Sequence, residues 1–180
     1  MPGWNASKVV AAFEAFGLKG TNAALGVYWM SLWSPAGPPM RGAFNPARVR
    51  ELLPAIGLTE VREDSAMCRL SGHYIDMAVG GELRGHDTLA LVDAGQRRLR
   101  KTRLTALVDG CVAMSRTRYD MLGASYFADT LQLPFFGTSE DGARQFISHT
   151  NWRPAPSDHY VREKRLRGGM PDEYLAFSLA

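Results

Sequence analysis

The residues able to carry chemistry in this chain are few, and their spacing argues against most of the reactions they suggest. Four histidines, His73, His86, His149 and His159, and two cysteines, Cys68 and Cys111, fall in no H-x₃-H or C-x₂-C arrangement. A metal site would therefore need tertiary convergence, and none is expected. The stretch Gly80-Gly81-Glu82-Leu83-Arg84-Gly85 has the outer glycines of a phosphate loop. It lacks the Lys and Ser/Thr that hold phosphate and metal in such a loop. Gly123-Ala124-Ser125-Tyr126-Phe127 places Phe127 where a nucleophile elbow needs its second glycine, so Ser125 reads as an ordinary strand residue. No catalytic residue is assigned, and the chain is not expected to be an enzyme.

Two basic runs remain. Arg97-Arg98-Leu99-Arg100-Lys101-Thr102-Arg103 puts five cations in seven residues, and Arg162-Glu163-Lys164-Arg165-Leu166-Arg167 lies near the C-terminus. At roughly 100° per residue the first run encircles a helix instead of forming one stripe. Both read as solvated surface, with an acidic partner or a nucleotide messenger as the alternative. Nucleic acid is disfavoured: no aromatics interleave with the cations, no helix-turn-helix is visible, and the net charge is only +3.

The elements that must position these residues come from a chain of 180 residues, 46% hydrophobic and 22% charged, a composition that is globular and not disordered. Two cysteines cannot staple a small secreted fold, and a reducing compartment is the simpler setting. The first residues lack the basic and apolar regions of a secretory signal. Residues 21–40 carry no charge, but Pro35, Pro38 and Pro39 interrupt them. The helical part is short of the ~20 residues a membrane span needs. These features lead to an expectation of a soluble, cytoplasmic protein.

Helical spacing marks residues 7–16, through Val9, Phe13 and Phe16, and a second helix from about Thr21, through Leu25, Tyr28, Trp29 and Leu32. Asn45 as N-cap and Pro46 at N1 open a third helix, which Val49, Leu52, Leu53 and Ile56 continue until Pro54 and Gly57 close it. Alternation then predicts a hairpin, residues 57–62 and 66–72, with its turn at 63–65. A short helix over 74–79 and a longer one from about Leu89 to Asp109 follow. The latter's best stripe is Leu104, Leu107, Val108 and Cys111. Residues 112–119, 124–136 and 143–152 are three further strands, the last two joined by a turn after Gly137. This order suits an α+β fold: a five-stranded antiparallel sheet with the central helices on one face.

The sequence resembles a known family along this same order. Tyr28-Trp29, Pro39-Met40-Arg41, Leu52-Leu53-Pro54, Arg69-Leu70-Ser71-Gly72, Leu83-Arg84-Gly85 and Leu133-Pro134 look like the pieces of alphaproteobacterial single-PAS proteins of the PAS_5 type. His73 departs from the pattern, since the family has a small hydroxyl residue there. The resemblance spans roughly Thr21 to Arg153 and implies three regions: an N-terminal helical extension (1–20), a PAS-like domain (21–153) and a C-terminal extension (154–180).

The resemblance implies a non-enzymatic regulatory module, working by small-molecule sensing or protein–protein interaction in signal transduction. The alternative is a structural adaptor with a filled core. It also implies where ligand and partner would sit. A cleft between sheet and central helices would be lined by Met67, Arg69, Met77, Leu89, Leu104, Val108, Met114 and Phe146, with Arg69 anchoring an anion or else paired with Asp64 or Asp76. A homodimer would form through Leu25, Tyr28, Trp29 and Leu32, alongside a signalling protein partner. No cofactor is required. Haem, should one bind, would use His86 as axial ligand. Flavin photochemistry finds no match in the Met67-Cys68-Arg69-Leu70 context, and Cys68 and Cys111 read as core residues, too far apart to pair.

Overall fold

The computed structural model describes residues 5–35, 37–121, 124–137, 142–154 and 173–179. His159, the basic run at 162–167 and most of the turn after Gly137 lie outside the described residues.

Helix α1 (Ala6–Phe16) opens where the Asn5 side chain accepts the Ser7 N–H, and closes on Gly17 at φ 60°, the left-handed cap that glycine adopts without strain. Helix α2 (Gly20–Ser31) follows directly. The helix expected from Asn45 to Ile56 instead breaks into 3₁₀ turns at Pro46–Val49 and Leu53–Ala55, with another at Arg41–Ala43 before them. Asn45 does cap, accepting the Ala47 N–H. Pro54, however, removes a donor and clashes with the carbonyl four residues back, so no α-helix propagates and Ile56 opens a strand.

Six strands form one sheet: β1 (Ile56–Val61), β2 (Ala66–Ser71), β3 (Cys111–Met121), β4 (Ala124–Pro134), β5 (Arg144–Pro154) and β6 (Glu173–Ser178), in the order β2-β1-β5-β4-β3-β6. Every pairing is antiparallel. Helices α3 (His73–Val79) and α4 (Ala94–Val108) lie between β2 and β3. The expected PAS-like α+β fold is present, with one strand more than the five anticipated, because β6 pairs along β3. Helix α4 begins at Ala94 and not near Leu89. Asp87 Oδ1 accepts the N–H groups of both Ala66 and Leu89, tying that segment to the sheet edge before a helix can start.

Antiparallel alternation divides the sheet into two unlike faces. On one, Ile56, Leu58, Val112, Leu131, Leu133 and Ile147 pack with Val9, Ala12, Leu25, Trp29 and Leu179 in a single core. Both ends of the chain take part: the Asn5 N–H donates to the Leu179 carbonyl at 2.9 Å, and Phe16 meets Phe177 edge-on at 5.3 Å. On the other face a smaller cluster, Val61, Ala66, Ala113 and Phe146, is covered by Leu104, Leu107 and Val108 of α4.

Helix α2 is held to the first face by polar contacts as well as apolar ones. The Asn22 Nδ2 donates to the Asp129 carbonyl at 2.9 Å, and its Oδ1 lies 2.7 Å from His149 Nδ1. With the amide so oriented, Nδ1 must carry the proton. Trp29 Nε1 donates to the Pro134 carbonyl at 3.0 Å. These contacts correct the expected dimer face. Leu25 and Trp29 are sealed in the chain's own core, and the Tyr28 hydroxyl bonds both the N–H and the carbonyl of Asn45. Leu32, like Tyr28, is partly buried, and the two fully buried members of the expected face, Leu25 and Trp29, are spent inside the chain.

Beyond this core a ladder of charges crosses four strands. Arg116 Nε and Arg153 Nε contact the two oxygens of Asp129 at 2.6 and 2.9 Å, and Arg116 also reaches Glu173 at 2.9 Å. Burial pushes the Asp129 carboxyl up, but the two guanidiniums outweigh it and hold its pKa below the ordinary value.

Burial pulls His149 from 6.5 down to about 4, so the unfolded chain binds the proton first as pH falls. Stability should be complete above pH 6.5 and fall by about 3 kcal/mol as pH drops to 4. Urea unfolding across that range measures it, and His149→Gln should flatten the dependence above pH 5. At Gly72, a Cβ would sit 2.3 Å from the Leu53 carbonyl oxygen and 2.4 Å from that of Pro54. Gly72→Ala is expected to lower the unfolding free energy by ~2–4 kcal/mol, read from the same titration at neutral pH.

Candidate functional site

On the face that carries α4, the sheet is only partly covered. The leftover space is a cleft of about 160 Å³. Its floor is built by strand residues of one parity: Thr59 of β1, Ser115, Thr117 and Tyr119 of β3, Thr130 and Gln132 of β4, and Ser148 and Thr150 of β5. Hydroxyls dominate because these positions alternate with the apolar set on the opposite face. Its wall is apolar and comes from Ile75 and Val79 of α3 with Leu83, Leu91 and Val92 of the segment that follows.

Gly57 allows the close approach of floor and wall. A Cβ there would lie 2.8 Å from Ser148 Oγ and 3.6 Å from Ile75 Cδ1. Thr130 and Thr150 share a hydroxyl–hydroxyl bond of 3.0 Å across β4 and β5. Tyr119 is so buried that its phenol pKa is raised, which keeps it a neutral donor. Cys68 also lines the cleft, its thiol 3.3 Å from the Leu70 carbonyl. Burial, aided by Asp76, pushes it up to about 11, so it is a thiol and not a nucleophilic thiolate.

Arg100 of α4 completes the lining. Its Nε is buried without a hydrogen-bond partner, and burial lowers its pKa, with Tyr119 and Tyr174 acting the other way. The basic run of α4 thus does not act as one surface. Lys101 pairs with Asp64 at 2.7 Å, Arg103 stacks 4.2 Å over the Tyr174 ring, and Arg100 turns inward.

Of the eight residues expected in the cleft, Phe146 lines it. Leu89, Leu104 and Val108 lie in the filled cluster beside it. Met77 is exposed on α3. Met67, Arg69 and Met114 belong to the other parity. Arg69 holds Glu60 there through Nε at 3.0 Å and Nη2 at 2.8 Å, so its partner is neither Asp64 nor Asp76. The register of β1 and β2 explains the slip. A bulge after Leu58 pairs Thr59 with Cys68 and leaves Arg69 outside the pairing, and one residue of offset exchanges the faces of a strand.

Sequence reasoning missed Arg100, although a step of four residues back from Leu104 leads to it. His86 is exposed, with its backbone bonded to Cys68 and Leu83, and is not part of the lining. The cleft itself is well under the ~300 Å³ at which drug-sized sites begin, too small for a porphyrin. Among the described residues, no group of three or more His, Cys, Asp or Glu is placed to hold a metal ion. No described helix is long and apolar enough to cross a membrane.

A six-stranded antiparallel sheet with a cleft roofed by the helices inserted between its second and third strands defines a PAS-type module. The PAS_5 family model, described as a PAS domain, matches residues 19–146, and the chain belongs to that family. No curated protein gives a significant match. PAS domains are in general sensory or regulatory modules, and that much holds for this chain.

Because Arg69 satisfies a carboxylate that is itself almost wholly buried, its role is structural. Arg69→Ala should destabilise the fold by about 1–2 kcal/mol, measured by chemical unfolding at pH 7. The same variant should leave binding in the cleft unchanged.

Proposed function

We propose that this chain is a non-enzymatic sensor that binds a small molecule in the cleft between its sheet and α3–α4, and passes the binding on to a protein partner in signal transduction. The single observation that supports the reading is the cleft itself. A filled-core adaptor would close that space, since unfilled volume forfeits dispersion and transfer energy. The roof is suited to reporting occupancy. Helix α3 has seven residues, and the segment after it meets the sheet edge through bonds such as Thr88 N–H to the Ala66 carbonyl at 2.8 Å. A ligand that prefers one position of this roof shifts the population toward it. Both described cysteines are free thiols, which fits a reducing, cytoplasmic setting.

The test is native mass spectrometry of the purified protein, with thermal-shift screening of a metabolite library against wild type and Thr117→Phe, which fills the floor. Expected is a bound mass that leaves on denaturation, or a compound that raises the unfolding temperature of wild type and not of Thr117→Phe. A wild type with neither would remove ligand sensing and leave the adaptor.

A further inference from the structure

We infer that the cleft takes a small organic carboxylate, its head group held by Arg100 and its body against the apolar wall. This deepens the sensor reading above and rests on it. Among the described residues lining the cleft, Arg100 is the one ionised side chain. Its Nε is shut away from water with nothing to donate to, and no described carboxylate pairs with it. An unpaired guanidinium in this position works against folding, and an apolar residue would serve the packing better.

The wall segment does carry carboxylates, but Asp76 and Asp87 are engaged, and Glu82 is exposed and outside the lining. Asp76 Oδ1 accepts from Ser71 Oγ at 2.5 Å and from the Leu83 N–H at 3.0 Å. Asp87 holds the Ala66 and Leu89 N–H groups. The neighbouring cation Arg103 lies over the Tyr174 ring; its Nη1 is also buried without a hydrogen-bond partner, but it does not line the cleft. The cleft therefore offers one planar fork of donors, a hydroxyl floor and a hydrocarbon wall.

Charge and size select the ligand class. A single guanidinium neutralises a carboxylate, whereas a phosphate monoester near −2 would leave excess negative charge in a half-closed site. A carboxylate also matches the guanidinium fork in geometry. The volume, about 160 Å³, is close to that of an engineered protein cavity of about 150 Å³ that accommodates benzene. The molecule is then a carboxylate on a body of that size.

The test uses three matched pairs of monocarboxylate and amide as probes, benzoate and benzamide, isovalerate and isovaleramide, butyrate and butyramide, with inorganic phosphate as a further anion. Binding to the full chain is measured by calorimetry and thermal shift in wild type, Arg100→Gln and Arg100→Met. Expected is at least one carboxylate that binds while its amide and phosphate do not, with affinity at least tenfold weaker in Arg100→Gln. Without additive, Arg100→Met should unfold at the same temperature as wild type or higher.

Equal binding of an acid and its amide, lost in Thr117→Phe, would overturn the carboxylate assignment while the sensor reading stands. Phosphate binding in place of the acids, binding undiminished in Arg100→Gln, or no binding of any carboxylate would each overturn it as well. An Arg100→Met protein that melts earlier than wild type would assign Arg100 to the fold and overturn the inference from a second side. The library screen, independent of these probes, decides whether the sensor reading falls too.

Discussion

Alternation along the strands is the constraint on which the rest of this structure depends. Each strand sends successive side chains to opposite sides of the sheet, and the chain uses this to make two unlike surfaces. One carries Ile56, Leu58, Leu131, Leu133 and Ile147, a continuous apolar bed that takes α1, α2 and the last residues of the chain. The other carries Thr59, Thr117, Thr130, Ser148 and Thr150, a surface that no apolar helix would cover in full. Helix α4 can therefore pack only where Val61, Ala113 and Phe146 offer it a foothold. The cleft is the remainder, and its polarity is set by the same period that fills the opposite core.

Two buried carboxylates and one partly buried guanidinium show how differently the fold treats ionised groups. Glu60 is answered by Arg62 and Arg69, and Asp129 by Arg116 and Arg153, so each carboxyl titrates below its ordinary value despite burial. Arg100 receives no such answer, and burial lowers its pKa. Low-dielectric surroundings penalise an unpaired charge far more than a paired one, which sets Arg100 apart from the charges that serve stability. All of the paired set belongs to the face of α1 and α2, and the unpaired one to the cleft.

Much of the fold was legible in the residues. Val9, Phe13 and Phe16 mark α1, the period-2 runs on either side of residues 63–65 mark the first hairpin, and the Tyr28-Trp29 and Leu133-Pro134 pairs mark the family. The candidate site was less so. Met67, Arg69 and Met114 looked inward because the parity of a strand is decided by its neighbours, and the bulge after Leu58 has no signature in composition. The six residues of β6 pass as a tail in sequence, since a lone strand has no meaning until β3 offers it a free edge. Trp29 and Leu25 looked like a contact for a second subunit because an apolar stripe does not say which surface will cover it.

The sequence by itself determined most of the element types, though neither β6 nor the 3₁₀ turns before Ile56, together with the PAS order and the absence of any local motif for catalysis or phosphate binding. Those depend on residues within one or two turns of each other: caps, prolines, periods of 2 and 3.6, and motif spacing. Only the tertiary structure decided which face of each strand looks at α4, that Asn22 and His149 meet across 127 positions, and that Arg100, one of five neighbouring cations, is the one that lines the cleft. Burial and pairing are properties of the assembled surfaces. Coulomb and desolvation energies follow distance and local dielectric in space, which the order of residues along a chain does not specify.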